Sequence, residues 1–356
     1  MPNPGLLLWD DRLRAYDFGP GHPFQIRYRA EAARNLGDGA ASPEAVGRLA
    51  ASGPIEPASR ETLGRFHTAA YQDKVHEFSA RPIGSYLDGG DTPAFPGCEV
   101  AAARVANAAV RGLEAISEGR FRRAFSPAGG LHHAHPDRAS GFCIYNDVAV
   151  AIANALRPGG PYRRVAYIDI DVHHGDGVMY GFYDDGRVLD VDFHQDGRTL
   201  FPGTGAASET GRSDGSGLKV NLPLPPGAGD GTLVPLFRRV VPPMVRDFRP
   251  EWIVLQHGVD GHAGDGLGGL EYSDAGYAAV LDTVLELAQE VCGGRLLVTG
   301  GGGYDRHNVS RVLSAVGRRL ARETPERAFG TPEEEPWVAT VLRDLEPALG
   351  RRFPAE

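Results

Sequence analysis

Cysteine is almost missing from this 356-residue chain: Cys98, Cys143 and Cys292 are its only thiols, and they lie far apart. So odd and sparse a set supports neither a disulfide framework nor a cysteine-clamped zinc cluster, and it suits a reducing cytoplasm. Excess positive charge is missing too. The formal net charge of −9 argues against a basic surface for nucleic acid. An acidic surface would attract cationic substrates such as lysine-bearing peptides or polyamines, or simply keep an enzyme soluble. Long apolar runs are also lacking. The opening MPNPGLLLWDDRL holds a four-residue apolar stretch followed by two aspartates, so neither a signal peptide nor a membrane span is expected. Internal repeats and long low-complexity linkers do not occur.

What is present fits a loop-rich globular enzyme. Charged residues make up 23% and hydrophobic residues 42%, enough for one large α/β domain or two ordinary ones. Glycine and proline are spread through short connections, and the longest run of loop residues spans Pro202 to Gly217. The expected organisation is a single domain over residues 1–356. Its core covers about 16–318 and its polar tail about 324–356, with one helical piece near Trp337 to Leu349.

Five short apolar runs read as buried strands: Arg123–Ser126, Arg164–Ile170, Val188–Phe193, Trp252–Gln256 and Leu296–Thr299. Helical patterns lie between them. Val105, Ala109, Gly112 and Ile116 share one face, as do Tyr277, Leu281, Val284, Leu285 and Ala288, in a helix that Ser273 would cap and Gly293 would stop. Pro242–Pro243 is expected to kink or break the helical pattern from Leu233 to Phe248. Strands alternating with helices predict a three-layer α/β/α fold around a mainly parallel central sheet.

The chemistry follows the strands. GGLHHAH comes after the first run, DVHHGDG after the second, HGVDGHAGD after the fourth and GGGGYD after the fifth. Ligands of open parallel sheets bind beyond the carboxyl ends of the strands, so these four polar loops are expected to meet. In DIDVHHGDG, strand alternation would put Asp169, Asp171 and His173 on one face if the strand continued. Carboxylate and imidazole donors suit Zn²⁺ or Fe²⁺. Two protein ligands hold a catalytic metal poorly, and Asp260 is the natural third. An acidic loop with solvated histidines is the plainer alternative. His132 and His133 would supply a general base and an electrostatic partner, each oriented by a carboxylate, for which Asp169 and Asp176 are at hand. Tyr304, after four glycines, would donate its O–H to an oxyanion or merely close a tight turn.

These motifs, with FGPGHP, ASGFCIYND and FHQDGRTLFPGTG in the same order, resemble the zinc-dependent histone deacetylase family, most closely its bacterial acetoin-utilization-protein-like branch. The resemblance runs from Phe18 to about Arg318 and implies the arginase/deacetylase fold. It implies that Asp171, His173 and Asp260 hold zinc or iron and that His133 is the general base, with His132 its electrostatic neighbour. Asp169 would bond His132, Asp176 would bond His133, and Tyr304 would stabilise the oxyanion. Phe142 and Phe201 would wall an acyl-lysine channel, Asp91 would grip the substrate backbone at the rim, and Gly130 and Cys143 would line the inner site. Leu267 stands at an acyl-pocket position that is methionine in many eukaryotic relatives. A structural potassium ion is implied at the Asp169–His173 backbone and Phe193, beside Asp192, where many relatives carry serine. The family's Arg-x-Arg appears as Arg27-Tyr28-Arg29, closer to GHP than expected, which leaves open which arginine lines an internal acetate channel. The implied activity is deacetylation of acetyl-lysine in a protein or peptide, with an acetate-activating enzyme as a candidate partner.

Three rivals remain. An arginase-like two-manganese hydrolase would need a second set of bridging aspartates, which Asp260 and Asp265, separated by GHAG, fit poorly. A silent acyl-lysine-binding module is disfavoured by the presence of His132, His133 and Tyr304. An acetylpolyamine amidohydrolase would differ only in the shape of its channel. Of the remaining histidines, His67, His76, His135 and His307 read as surface or structural residues, His174 as packing or hydrogen-bonding near the metal loop, His22 as a loop former, and His257 and His262 as neighbours of Asp260 rather than ligands, while His194 is left unassigned.

Overall fold

The computed structural model describes residues 3–37, 49–82, 84–322 and 332–349. Its strands are β1 (Asn3–Leu7), β2 (Ala50–Ala51), β3 (Phe121–Ser126), β4 (Val165–Asp169), β5 (Val188–Gln195), β6 (Lys219–Leu224), β7 (Trp252–Gln256) and β8 (Leu296–Thr299). The helices are α1 (Ile26–Gly37), α2 (Arg60–Leu63), α3 (Ala69–Ala80), α4 (Cys98–Ser117), α5 (Asp147–Leu156), α6 (Asp176–Gly181), α7 (Asp230–Phe248), α8 (Asp274–Cys292), α9 (Arg306–Leu320) and α10 (Trp337–Leu349).

The strands form one eight-stranded sheet in the order β2-β1-β3-β8-β7-β4-β5-β6, with every pairing parallel. Both faces are covered. Tyr167, Trp252, Val254 and Leu297 point into a core shared with α4 and α5. Ile168, Ile253, Leu255 and Val298 point into a second core shared with α7, α8 and α9. Burial on both faces is why the central strands read as unbroken apolar runs rather than alternating ones.

Register is what builds the site. Ser126, Thr299, Gln256, Asp169 and Asp192 are successive Cα partners across β3, β8, β7, β4 and β5. The four motif loops therefore leave one straight line of neighbouring strand ends and converge, as the topology rule for parallel sheets requires.

Trp252–Gln256 and Leu296–Thr299 match their predicted bounds, as does the tail helix Trp337–Leu349. Ser273 caps α8 by accepting from the Ala275 amide, and Gly293 ends it at φ 64°. One expectation fails and another is narrowed. The second strand stops at Asp169, so Asp171 and His173 sit on a loop, where turns carry them: Asp169 accepts from the Asp171 amide and Asp171 from the His173 amide. The helix around Pro242–Pro243 does not break; α7 runs from Asp230 to Phe248 with Pro235, Pro242 and Pro243 inside it. Its buried face, including Val240, Val241, Met244 and Val245, outweighs the lost amide hydrogen bonds. Three strands carried no sequence signal: β1, β2 and β6. Among the described residues, no helix is long and apolar enough to cross a membrane. Parts of the expected tail, residues 324–331 and 350–356, lie outside the described residues.

Candidate active site

Asp171, His173 and Asp260 come together from the loops after β4 and β7, all buried, with one donor atom each within 4.8 Å of the others. His173 Nδ1 lies 3.1 Å from Asp171 Oδ1 and 3.1 Å from Asp260 Oδ2. A single N–H hydrogen cannot serve both carboxylates well, whereas one divalent cation would meet all three atoms. The outer lone pairs are already engaged. Asp171 Oδ2 accepts from Gln256 Nε2 and from the Gly302 amide, both at 2.7 Å, and Asp260 Oδ1 accepts from the Val172 amide at 3.0 Å. Burial and the neighbouring Asp171 charge push the Asp260 pKa up to about 7. Two carboxylates and one imidazole, with room beyond them, fit an open zinc- or iron-type site. Asp265 is not part of the cluster. It accepts from the Tyr304 and Asp305 amides instead, and among the described residues Asp171, His173 and Asp260 are the one such three-donor group.

The two adjacent histidines carry two separate relays. His132 Nδ1 donates to Asp169 Oδ2 at 2.8 Å, and His133 Nδ1 donates to Asp176 Oδ1 at 2.7 Å. Their Nε2 atoms lie 3.1 Å apart, a contact that needs one further proton. His132 takes it. Burial opposes its charge, but Asp169 and Asp171 outweigh burial and raise its pKa to about 10. His133 is the opposite case: burial and the His132 charge press its pKa down to about 4, leaving an unprotonated Nε2 beside the metal cluster.

Tyr304 lies across the same cavity, its ring 6.4 Å from that of His173 and 6.1 Å from that of Phe142. Burial, reinforced by the Asp260 and Asp171 charges, holds its hydroxyl well above the ordinary tyrosine pKa, so it stays an O–H donor. Phe24, Gly130, Leu131, Cys143, Gly301 and Gly302 close the inner end around a volume of about 20 Å³, room for one or two waters. Phe142 and Phe201 stand on the approach. The Phe201 ring packs edge-on against His133 at 5.1 Å. Phe142 holds φ 68°, a strained value for a bulky residue. Thr92 Oγ1 fixes it by accepting from its amide, Tyr16 by donating to its carbonyl, and His22 by packing at 4.5 Å against its ring. Asp91 is exposed on the next turn, which the Asp88 carboxylate ties together by accepting from the amides of Gly90, Asp91 and Thr92. Leu267 is exposed after Asp265 and is not among the residues lining the inner cavity.

Several side chains with a place in the site were missed or left open in the sequence. Arg29, not Arg27, is the buried arginine: it donates to the carbonyls of Gly301 and Gly303 and stacks 4.2 Å over the Phe24 ring. Asp147 accepts from the Gly130 and Leu131 amides, shaping the turn before the histidines. Asp192 accepts from the Gly175 amide and pairs with His194, which also donates to the Gly205 carbonyl. His135 is the structural rather than the surface residue of its two readings: it is buried, with Nε2 3.0 Å from Asp176 Oδ2. The His-x-His spacing of His133 and His135 was the available signal, because it keeps two imidazoles within reach of one partner.

With this geometry in place, comparison with known proteins is specific. The histone deacetylase domain model matches residues 27–320. The chain is 38% identical over 298 residues to the acetoin utilization protein AcuC of Bacillus subtilis, covering 82% of this chain and 76% of that protein. It is 34% identical over 323 residues to the histone deacetylase clr6 of Schizosaccharomyces pombe, covering 88% and 76%. The crystal structure of the HDA15 HD domain superposes with a TM-score of 0.82 at 29% identity, covering 97% of this chain and 94% of that one. The chain belongs to the histone deacetylase family, on an AcuC-like branch of it.

Proposed function

We propose that this chain is a divalent-metal-dependent deacetylase acting on the acetyl amide of N-acetyl-lysine side chains in proteins. The observation that carries the reading is the convergence on one cavity of the His132–His133 pair, the Asp171 side of a three-donor cluster and the Tyr304 ring. A zinc or iron ion in the cluster would supply Lewis-acid polarisation of the amide carbonyl and a more acidic water.

The chain's own groups do the rest. His133 Nε2 accepts the proton of the attacking water, and Asp176 stabilises the imidazolium that forms. His132, already charged and held by Asp169, limits the basicity of His133 and adds positive potential where negative charge develops. The Tyr304 hydroxyl donates to the oxyanion. An imidazolium then returns a proton to the leaving amine, so no covalent intermediate is required. Phe142 and Phe201 flank the lysyl chain, Asp91 accepts from the substrate backbone, and Gly130 and Cys143 bound the acetyl end. Leu267 sits at the outer edge. A potassium ion on the 169–173 and Phe193 carbonyls belongs to the same proposal, as does an acetate-activating enzyme as the acetylated partner.

Acetate release from an acetyl-lysine peptide by the metal-loaded protein tests it. The expected result is metal-dependent turnover that falls roughly 10²- to 10³-fold in Tyr304→Phe, with metal content unchanged. Turnover of acetylpolyamines but not of the peptide would move the substrate to small amines. Turnover of neither by folded, metal-loaded protein would sink the reading.

A further inference from the structure

We propose that His135 is a positioning residue for the general base: by donating to the second oxygen of Asp176, it fixes the carboxylate against which the His133 imidazole is aligned. The proposal rests on the deacetylase reading of the site.

The two relays differ in what holds their carboxylates. Asp169 is locked by groups other than histidine, since it accepts from the Asp171 amide and from the Tyr167 hydroxyl as well as from His132. Among the described residues, Asp176 has imidazole donors alone: His133 Nδ1 at 2.7 Å on Oδ1 and His135 Nε2 at 3.0 Å on Oδ2. No backbone amide or hydroxyl stops that carboxylate from turning about its own bond. Its orientation, and through it the plane of His133, depends on His135.

His135 is itself held firmly enough to do this. Asn146 Nδ2 donates to the carbonyls of His132 and Ala134, both at 3.0 Å, fixing the backbone on either side of His133. The His135 amide donates to the Arg138 carbonyl at 2.9 Å. Its ring lies parallel to that of Tyr180 on α6, 6.3 Å away and 15° from coplanar. Gly177 lets α6 press close, because a Cβ there would fall 2.5 Å from the His132 and Ala134 carbonyl oxygens. His133 and His135 thus reach the same carboxylate from one rigid strip. His135 is absent from the lining of the inner cavity, so its effect should reach the reaction only through Asp176.

The test compares the full-length, metal-loaded protein with His135→Phe, which keeps a ring for Tyr180 but has no N–H, and His135→Gln, which restores an N–H donor. The expected result is a roughly 10-fold lower kcat in the Phe variant with KM within about twofold, and recovery of most of the rate in the Gln variant. A Phe variant with kcat within about twofold of the parent would overturn the proposal, as would a Gln variant no better than Phe. Thermal midpoints separate loss of fold from loss of alignment, and His135→Ala replaces the Phe variant if that one does not fold. Should the parent turn over no acetylated substrate, the deacetylase reading fails separately. Positioning is then read from the ¹H resonance of His133 Nδ1–H: displacement without the donor and return with Gln supports it, and an unmoved resonance overturns it.

Discussion

The floor of the site and its mouth are built in opposite ways. On the floor, Asp171, His173 and Asp260 are 1%, 7% and 0% exposed, and the outer lone pairs of both carboxylates are occupied by amides or Gln256. At the mouth, Phe201 and Leu267 are 41% and 37% exposed, and the Asp88–Thr92 turn is held mainly by its own carboxylate. Groups that must meet charge as it develops gain from having no freedom, because reorganisation is then already complete before reaction. Groups that meet a variable substrate lose little by being adjustable. On the proposed function, reaction type is therefore written into the floor, and substrate choice into the mouth.

The sharpest way to break this comparison is to add one methyl group to the floor. A Cβ on Gly302 would fall onto Asp260 Oδ2 and within 2.9 Å of Asp171 Oδ2. Both carboxylates belong to the candidate metal cluster, and neither can retreat without losing its amide partners. Gly302→Ala is expected to lower metal content and to reduce turnover by roughly 10²-fold or more, since a displacement of about 1 Å can cost that much. Metal analysis and acetate release on the folded variant check it; full activity would mean that the floor is softer than its contacts indicate.

Much of the floor was legible in the sequence because its donors are local: Asp169, Asp171, His173 and Asp176 fall within eight residues, from the end of β4 to the start of α6, and His132 and His133 are adjacent. What was not legible depends on packing. His135 acquires its role only when α6 brings Asp176 against it, and Arg29 only when α1 packs beneath the Gly301–Gly303 turn. The sheet shows the same division. The central strands announce themselves by apolar content, while β6 reads Lys-Val-Asn-Leu-Pro-Leu and hides its place. It is an edge strand, where Pro223 is tolerated, and Lys219 is buried because its ammonium donates to the Val188 and Asp185 carbonyls. The break allowed for at Pro242 and Pro243 does not occur for the same reason: tertiary burial outweighs the local penalty.

Acid should attack the floor from beneath. His67 is buried, and its Nε2 accepts from the amide of Asn146, the residue that clamps the His132 and Ala134 carbonyls. Burial drives its pKa from 6.5 down to about 3, so between those values the unfolded chain binds the proton and the folded chain does not. Stability is full above pH 6.5 and is lost as pH falls towards 3, with a slope from this group of up to about 1.4 kcal/mol per pH unit. His257, lowered to about 4 by burial, adds to the same trend. Urea midpoints across pH 4–7 should fall steadily, and His67→Gln should flatten the slope. An unchanged slope would mean that His67 does not titrate in this window.

At the mouth, truncation should change binding more than rate. Phe201 covers His133 and His173 from the solvent side, at ring distances of 5.1 Å and 6.3 Å, without donating or accepting anything. Phe201→Ala should raise KM for an acetyl-lysine peptide roughly 3- to 10-fold, the equivalent of ~0.5–1.5 kcal/mol of aromatic contact, with kcat within about threefold. A loss confined to kcat would transfer Phe201 from the mouth to the floor.

The smallest expected effect is the mirror of the Gly302 substitution. Gly89 lies in the Asp88–Thr92 turn; a Cβ there meets nothing within 4 Å, and its φ is not one that only glycine adopts readily. The turn is carried by the Asp88 carboxylate and by the amides of residues 90–92, none of which Gly89 supplies. Gly89→Ala removes freedom from the unfolded chain without adding a clash, so stability should be unchanged or higher by up to about 1 kcal/mol. Turnover should match the parent. The same methyl group would then be prohibitive on the floor and immaterial at the rim, only because of what its neighbours are already committed to. A tenfold loss from Gly89→Ala would show instead that the rim turn holds Asp91 as tightly as the floor holds the metal ligands, and the division between the two regions would fail.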